Sequence, residues 1–184
     1  MDGDIYDGQW VNDKANGEGR YIHVNGACYE GQWKDDLQHG HGVETWTDHS
    51  RYEGEYALGR KHGIGSYRWN DQSQYTGDWR ENKIYGTGVY AWLDGRRYEG
   101  EWVENNMEGT GIYIWNDGRT YSGQYKDDKK HGFGVYTWAD GRSYEGHWAK
   151  GKQHSLGKYS APRDDKVKCG LWEEGKRIEW FSDE

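Results

Sequence analysis

Aromatic residues and glycines alternate with polar residues along the chain at two nested spacings. Tyr6, Tyr29, Tyr52, Tyr75, Tyr98, Tyr121 and Tyr144 stand 23 residues apart. Each is followed in steps of two by a glycine and an aromatic, as in Tyr6-x-Gly8-x-Trp10. Seven residues after that aromatic a second segment opens as Gly-x-Gly and continues into alternating rings: Tyr67-x-Trp69, Tyr90-x-Trp92, Tyr113-x-Trp115 and Tyr136-x-Trp138. Asp94-Gly95, Asp117-Gly118 and Asp140-Gly141 close the most regular copies. A period of two predicts strands, and short connections predict antiparallel hairpins, one per repeat. The expected fold is all-β: an elongated single-layer antiparallel sheet of tandem 23-residue β-hairpin repeats, solenoid-like. One continuous array is expected over residues 1–184, its repeats starting at 6, 29, 52, 75, 98, 121 and 144.

Parity fixes more. If Trp10 lies opposite Gly17 across a six-residue connection, Gly8 faces Gly19 and Tyr6 faces Tyr21, so rings and glycines share one side of the sheet. A two-residue turn at Asp-Gly would put Tyr29 on the wrong side, which predicts a longer type I turn with a glycine bulge. The other side carries Glu30, Glu53 and Glu99 on first strands and Val43, Ile64 and Ile112 on second strands, a mixed and half-solvated surface. The seventh repeat degenerates: Ser155 replaces a glycine, Pro162 and a charged stretch follow, and Gly170 and Trp172 resume the pattern one residue late. A half repeat and a C-terminal cap are therefore expected at about 167–184. At the other end, Asp2-Gly3-x-x-Tyr6 repeats the junction Asp117-Gly118-x-x-Tyr121, the expected mark of a longer array cut upstream.

Composition changes the picture in one respect. Leu, Ile, Val and Phe together number 21 in 184 residues, a level at which a chain of net charge -8 reads as disordered. The 12 Trp and 16 Tyr reverse that reading, because each buries roughly 150–250 Å². No apolar run is long enough to span a bilayer as a helix. The N-terminus lacks a secretory signal and two Cys fit a reducing compartment, so a cytoplasmic location is expected. An acidic chain is a poor match for nucleic acid, and none is expected as partner.

The unit Tyr-x-Gly-x-Trp, six variable residues, Gly-x-Gly-x-Tyr-x-Trp-x-Asp-Gly resembles the MORN repeat (membrane occupation and recognition nexus) over nearly the whole chain. The resemblance implies an elongated antiparallel sheet with an aromatic-lined groove, used as a binding module in junctional, flagellar and myosin-binding proteins and in protist cytoskeletal scaffolds. MORN repeats also occur beside lipid-kinase and methyltransferase domains, of which this sequence has none. An array of nothing but repeats looks most like the cytoskeletal scaffolds.

Chemical motifs are few. His39, His62, His131 and His154 occupy equivalent positions about 10 Å apart, too far to share a metal. Cys169 with His147 or His154 could hold zinc only across a two-fold axis between chains. Cys28 and Cys169 are six repeats apart and cannot bridge. The Gly-x-Gly triplets precede no helix, and no catalytic motif stands out, so no cofactor and no enzyme activity are expected. Lys126, Lys129, Lys130, Lys150 and Lys152 could form a lipid contact in the loops. The repeats carrying them sum to only +1 and +2, which makes anionic-lipid binding the lesser alternative. The rings form either core alone or core plus a ligand groove. A single sheet has no second layer, which favours a groove at Tyr67, Trp69, Tyr90, Trp92, Tyr113, Trp115, Tyr136 and Trp138 for a peptide or helix. Trp172, Trp180 and Phe181, with no repeat to follow them, are the expected homodimer contact. The function expected is a self-associating scaffold for cytoskeletal or membrane-associated protein segments. A regulatory fragment of a larger enzyme is the remaining alternative.

Overall fold

The computed structural model describes residues 3–181, so Asp2 of the expected upstream junction and the last three residues of the expected cap lie outside it. The described residues contain strands and turns and no helix. They fall into two compact units, Met1–Leu93 and Asp94–Glu184. In the first, the hairpins are β1 (Ile5–Val11) with β2 (Lys14–Ile22), β3 (Cys28–Lys34) with β4 (Leu37–Thr45), β5 (Arg51–Ala57) with β6 (Arg60–Arg68), and β7 (Gln74–Arg80) with β8 (Lys83–Ala91). In the second they are β9 (Arg97–Val103) with β10 (Asn106–Ile114), β11 (Thr120–Lys126) with β12 (Lys129–Thr137), β13 (Ser143–Ala149) with β14 (Lys152–Ala161), and β15 (Asp164–Glu173) with β16 (Lys176–Trp180). Within each unit the strands pair antiparallel in sequence order, in one layer.

The first hairpin keeps the expected parity, but one expected pair is displaced by two residues. Gly8 faces Gly19 and Tyr6 faces Tyr21, as the alternation requires, but Trp10 faces Ala15 rather than Gly17. The six-residue connection does not exist. A two-residue turn, Asn12-Asp13, joins the strands with both φ angles positive (52° and 60°), and the surplus residues form a bulge where Asn16, Gly17 and Glu18 oppose Gln9 alone. The reason is local. Gly17 takes φ +76°, and the side-chain Oε1 of Gln9 accepts the N–H of Glu18 at 2.9 Å, filling the place of a ladder bond. Gln32 and Gln124 do the same for His41 and Phe133, and Asp78 for Thr87.

Between repeats the turn has the expected form. Gly118 N–H donates to the Trp115 carbonyl and Trp115 N–H to the Arg119 carbonyl, with Gly118 at φ +91°. The Asp117 side chain accepts the Arg119 N–H and closes the loop. After the seventh repeat, Ala161 faces Asp164 across a two-residue turn instead, and a bulge between the Ala161–Asp164 and Tyr159–Lys168 pairs adds two residues to the second strand, so Gly170 and Trp172 fall one residue late. Ser155 keeps the backbone of the glycine it replaces, at φ +61°.

Candidate functional site

Three tiers of aromatic side chains build one face of each unit. The innermost are the first-strand tyrosines Tyr29, Tyr52, Tyr75, Tyr98, Tyr121 and Tyr144, all fully buried. Each ring lies flat over a second-strand glycine, and the hydroxyl donates to the carbonyl three residues on, as from Tyr29 to Gln32 at 2.8 Å. Burial drives these phenols well above the ordinary tyrosine range, Tyr144 to about 12. The second tier, Trp33, Tyr56, Trp79, Trp102, Tyr125 and Trp148, meets them edge-on, with Tyr29 and Trp33 at 5.0 Å and 85°. Trp79 and Trp148 donate their indole N–H to the carbonyls of Gly65 and Gly134 in the preceding repeat.

The outer tier holds the rings expected to line a groove. In the first unit Trp46, Tyr67, Trp69, Tyr90 and Trp92 form a ladder with successive centroids 5.4, 4.5, 5.1 and 4.4 Å apart. In the second, Tyr113, Trp115, Tyr136 and Trp138 follow at 4.4, 5.7 and 4.9 Å, continuing to Tyr159 and Trp180. Tyr113 and Tyr136 are buried; the other six groove residues are half-buried. Charge edges the ladder. Arg119 lies 5.3 Å over Trp115, pairs with Asp117, and reaches the Tyr136 hydroxyl. That arginine holds the Asp117 carboxyl below the usual carboxylate range. In the first unit Ser50 and Ser73 take the arginine's place, bonded to Asp48 and Asp71.

Two lysines sit among the rings. Lys61 Nζ is 4.8 Å from the Trp46 centroid, and Lys130 Nζ is 5.2–5.6 Å from Trp148, Tyr136, Trp115 and Tyr121. Burial lowers both ammonium pKa values. Lys130 is thus apart from the exposed Lys126, Lys129, Lys150 and Lys152, with which the sequence grouped it; of these only Lys150 lies in a turn, and the others end or open strands. Trp172 likewise departs from a free dimer surface: its own chain buries it between Tyr144 and Trp180, because the half repeat supplies the ring that a further repeat would have brought. Trp180 is half-buried and Phe181 exposed.

Of the recesses on the opposite face, two differ in their lining. One, in the first unit, is polar, with Glu18, Arg20, Glu30, His41 and Arg51 on its walls. The other, in the second, is apolar, with Phe133, His147, Leu156, Cys169 and Phe181. Both cysteines are free thiols, and among the described residues no three His, Cys, Asp or Glu side chains come together as a metal would need. No helix of the described residues is long and apolar enough to cross a membrane. Sequence reasoning missed the acceptor at Gln9, Gln32, Asp78 and Gln124, although a Gln, Glu or Asp there in six copies was a signal. It also missed the ring contacts of Lys61.

Similarity follows the same repeats. No curated protein matches the chain in sequence. Among solved structures, the TCP domain of SAS-4 (dCPAP) of Drosophila melanogaster, in complex with a proline-rich motif of Ana2 (dSTIL), is similar with a TM-score of 0.53 at 10% identity, over 85% of this chain and 84% of that one. The wild-type TCP10 domain of Danio rerio CPAP aligns over 99% and 96% at 9% identity, with a TM-score of 0.33. The sequence model of the MORN repeat matches residues 6–28, 29–51, 52–74, 75–95, 98–118, 121–141 and 144–166. With seven tandem copies covering most of its length, the chain belongs to the MORN-repeat family.

Proposed function

We propose that the chain is a non-catalytic scaffold that binds segments of other proteins along its aromatic face and pairs with a second copy of itself. The half-buried ladder of Tyr and Trp carries this reading: each unit is one layer thick, and rings with polar handles are what protein interfaces concentrate. A fly domain of similar fold, seen with a proline-rich motif of another protein, supports a protein segment as the ligand. Resemblance to the all-repeat scaffolds supports a cytoskeletal or membrane-apposed place in the cytoplasm.

Pull-down by the wild-type chain and by Trp92→Ala and Trp115→Ala tests the aromatic face, with circular dichroism to verify each fold. Loss of partners is expected; full retention by folded variants excludes the face. Exposed Phe181 and half-buried Trp180 support the homodimer contact. Light scattering of Phe181→Asp should show the dimer fall to monomer. A monomeric wild type, or a variant of unchanged mass, removes the dimer.

A further inference from the structure

The ring boxes around Lys61 and Lys130 occupy the same place in the repeat, three repeats apart, and differ in charge. Lys61 lies against Trp46, Tyr52 and Tyr67, and Lys130 against their counterparts Trp115, Tyr121 and Tyr136, each at 4.8–5.6 Å from the ring centroid. Each lysine pairs across its hairpin with a buried tyrosine, Tyr56 in the first unit and Tyr125 in the second. Where the first box has Glu44 the second has Tyr113, and where the first has Ser50 the second has Arg119.

The first box holds its own counter-charge. The Tyr56 hydroxyl donates to Glu44 Oε2 at 2.7 Å. Burial lowers the Lys61 ammonium pKa, and the Glu44 carboxylate opposes that shift. The second box holds no counter-charge. Among the described residues the Tyr125 hydroxyl, in a side chain only 5% exposed, has no acceptor, and no carboxylate pairs with Lys130. Burial lowers the Lys130 pKa too, and there the facing Arg119, whose own counter-ion is Asp117, adds to the shift. An ammonium half removed from water is unfavourable without an opposite charge. One that its own chain leaves unpaired complements a carboxylate brought by a ligand. Long-range attraction does not favour such a ligand, since the chain carries a net charge of -8, so the preference belongs to this box.

Resting on the aromatic face as a partner surface, we propose that the second unit recognises an acidic protein segment. One Asp or Glu carboxylate of the partner pairs with Lys130, taking the role that Glu44 has beside Lys61. Apolar side chains flanking that carboxylate lie on the half-buried rings of Trp115 and Trp138. The first unit, with Glu44 in place, lacks this preference.

The test is selection of a random synthetic peptide library on the full chain, followed by tryptophan-fluorescence titration of a selected peptide. Peptides retained by the wild type should be enriched in Asp and Glu, and those retained by Lys130→Gln should not. Lys61→Gln removes an equal charge and should keep the enrichment, which separates the box from overall electrostatics. Exchanging the acidic residue of the selected peptide for its amide should weaken binding to the wild type about tenfold and leave binding to Lys130→Gln unchanged. That exchange leaves the protein fold untouched, and circular dichroism verifies the variants. Selected peptides without acidic enrichment, or enrichment that survives Lys130→Gln, overturn the acidic-segment proposal while leaving the aromatic face as a partner surface. Binding of phosphatidylserine vesicles that is lost in Lys130→Gln assigns the ammonium to lipid and also overturns it. Failure to select any peptide, or binding that a folded Trp115→Ala does not alter, overturns both readings.

Discussion

A glycine in this chain answers to one of two demands, space or backbone conformation, and two residues of adjacent repeats separate them. Gly42 has an ordinary φ, but a Cβ there would lie 2.3–2.5 Å from the ring of Tyr29, which is fully buried and cannot swing aside. Gly26 is the reverse: nothing stands within 4 Å of its Cβ position, and only its φ of +93° excludes other residues. Gly42→Ala should therefore cost about 3 kcal/mol or more, the range of overpacking against an immobile core ring. Gly26→Ala should cost about 1–2 kcal/mol, the penalty of a left-handed L-residue. Urea midpoints rank the two, and a Gly26→Ala more damaging than Gly42→Ala would contradict the assignment.

At the level of the hairpin, the bulge decides what was legible in the sequence. The 23-residue period, the pairing of Gly8 with Gly19 and the three-residue turn at Asp117-Gly118 all follow from side-chain parity, which is printed in the residue types. The two-residue turn at Asn12-Asp13 does not, because Asn-Asp, Asp-Asp, Glu-Asn and Lys-Gly in the equivalent positions lack one shared signature. Parity is also unchanged by two extra residues, so alternation alone cannot distinguish a long loop from a tight turn beside a bulge. The outer ladder was readable for the same reason as the strands. Lys130 among the rings was not, since the sequence groups it with exposed lysines and two of the four rings around it, Trp115 and Trp148, come from neighbouring repeats. Ser155 tests the bulge. It holds φ +61° where the six preceding repeats have glycine. Ser155→Gly should stabilise the second unit by about 0.5–1 kcal/mol, the relief of left-handed strain less the entropy of a freer unfolded chain. Gly132→Ser, the converse, should destabilise it by more, because its Cβ would also meet Gln124 Oε1 at 2.0 Å. Loss of stability in Ser155→Gly would show that the serine is held by something other than the bulge.

Across the whole molecule the stabilising material is tyrosine, and that sets an unusual response to base. Tyr29, Tyr52, Tyr56, Tyr75, Tyr98, Tyr121, Tyr125 and Tyr144 all have their pKa raised by burial. A folded-state pKa above the unfolded value of about 10 means that the contribution is complete below pH 10 and is lost as pH rises beyond it. Each phenol held neutral then costs the fold about 1.4 kcal/mol per pH unit, and these eight are half of the sixteen tyrosines, divided between the two units. The acid side is gentler. Asp48 and Asp71 are lowered by their serines and Asp117 by Arg119, so their help is present above about pH 4 and lost below it, and all are exposed. Stability should be nearly level from about pH 5 to 10 and then fall steeply. Absorbance at the tyrosinate band, followed together with far-ultraviolet circular dichroism, reads this directly. The eight buried phenols should ionise only as the strand signal collapses. Complete ionisation of all sixteen around pH 10 with the strand signal intact would mean that the rings under the ladder are open to water, and that glycine and tyrosine do not form the sealed layer on which the aromatic face rests.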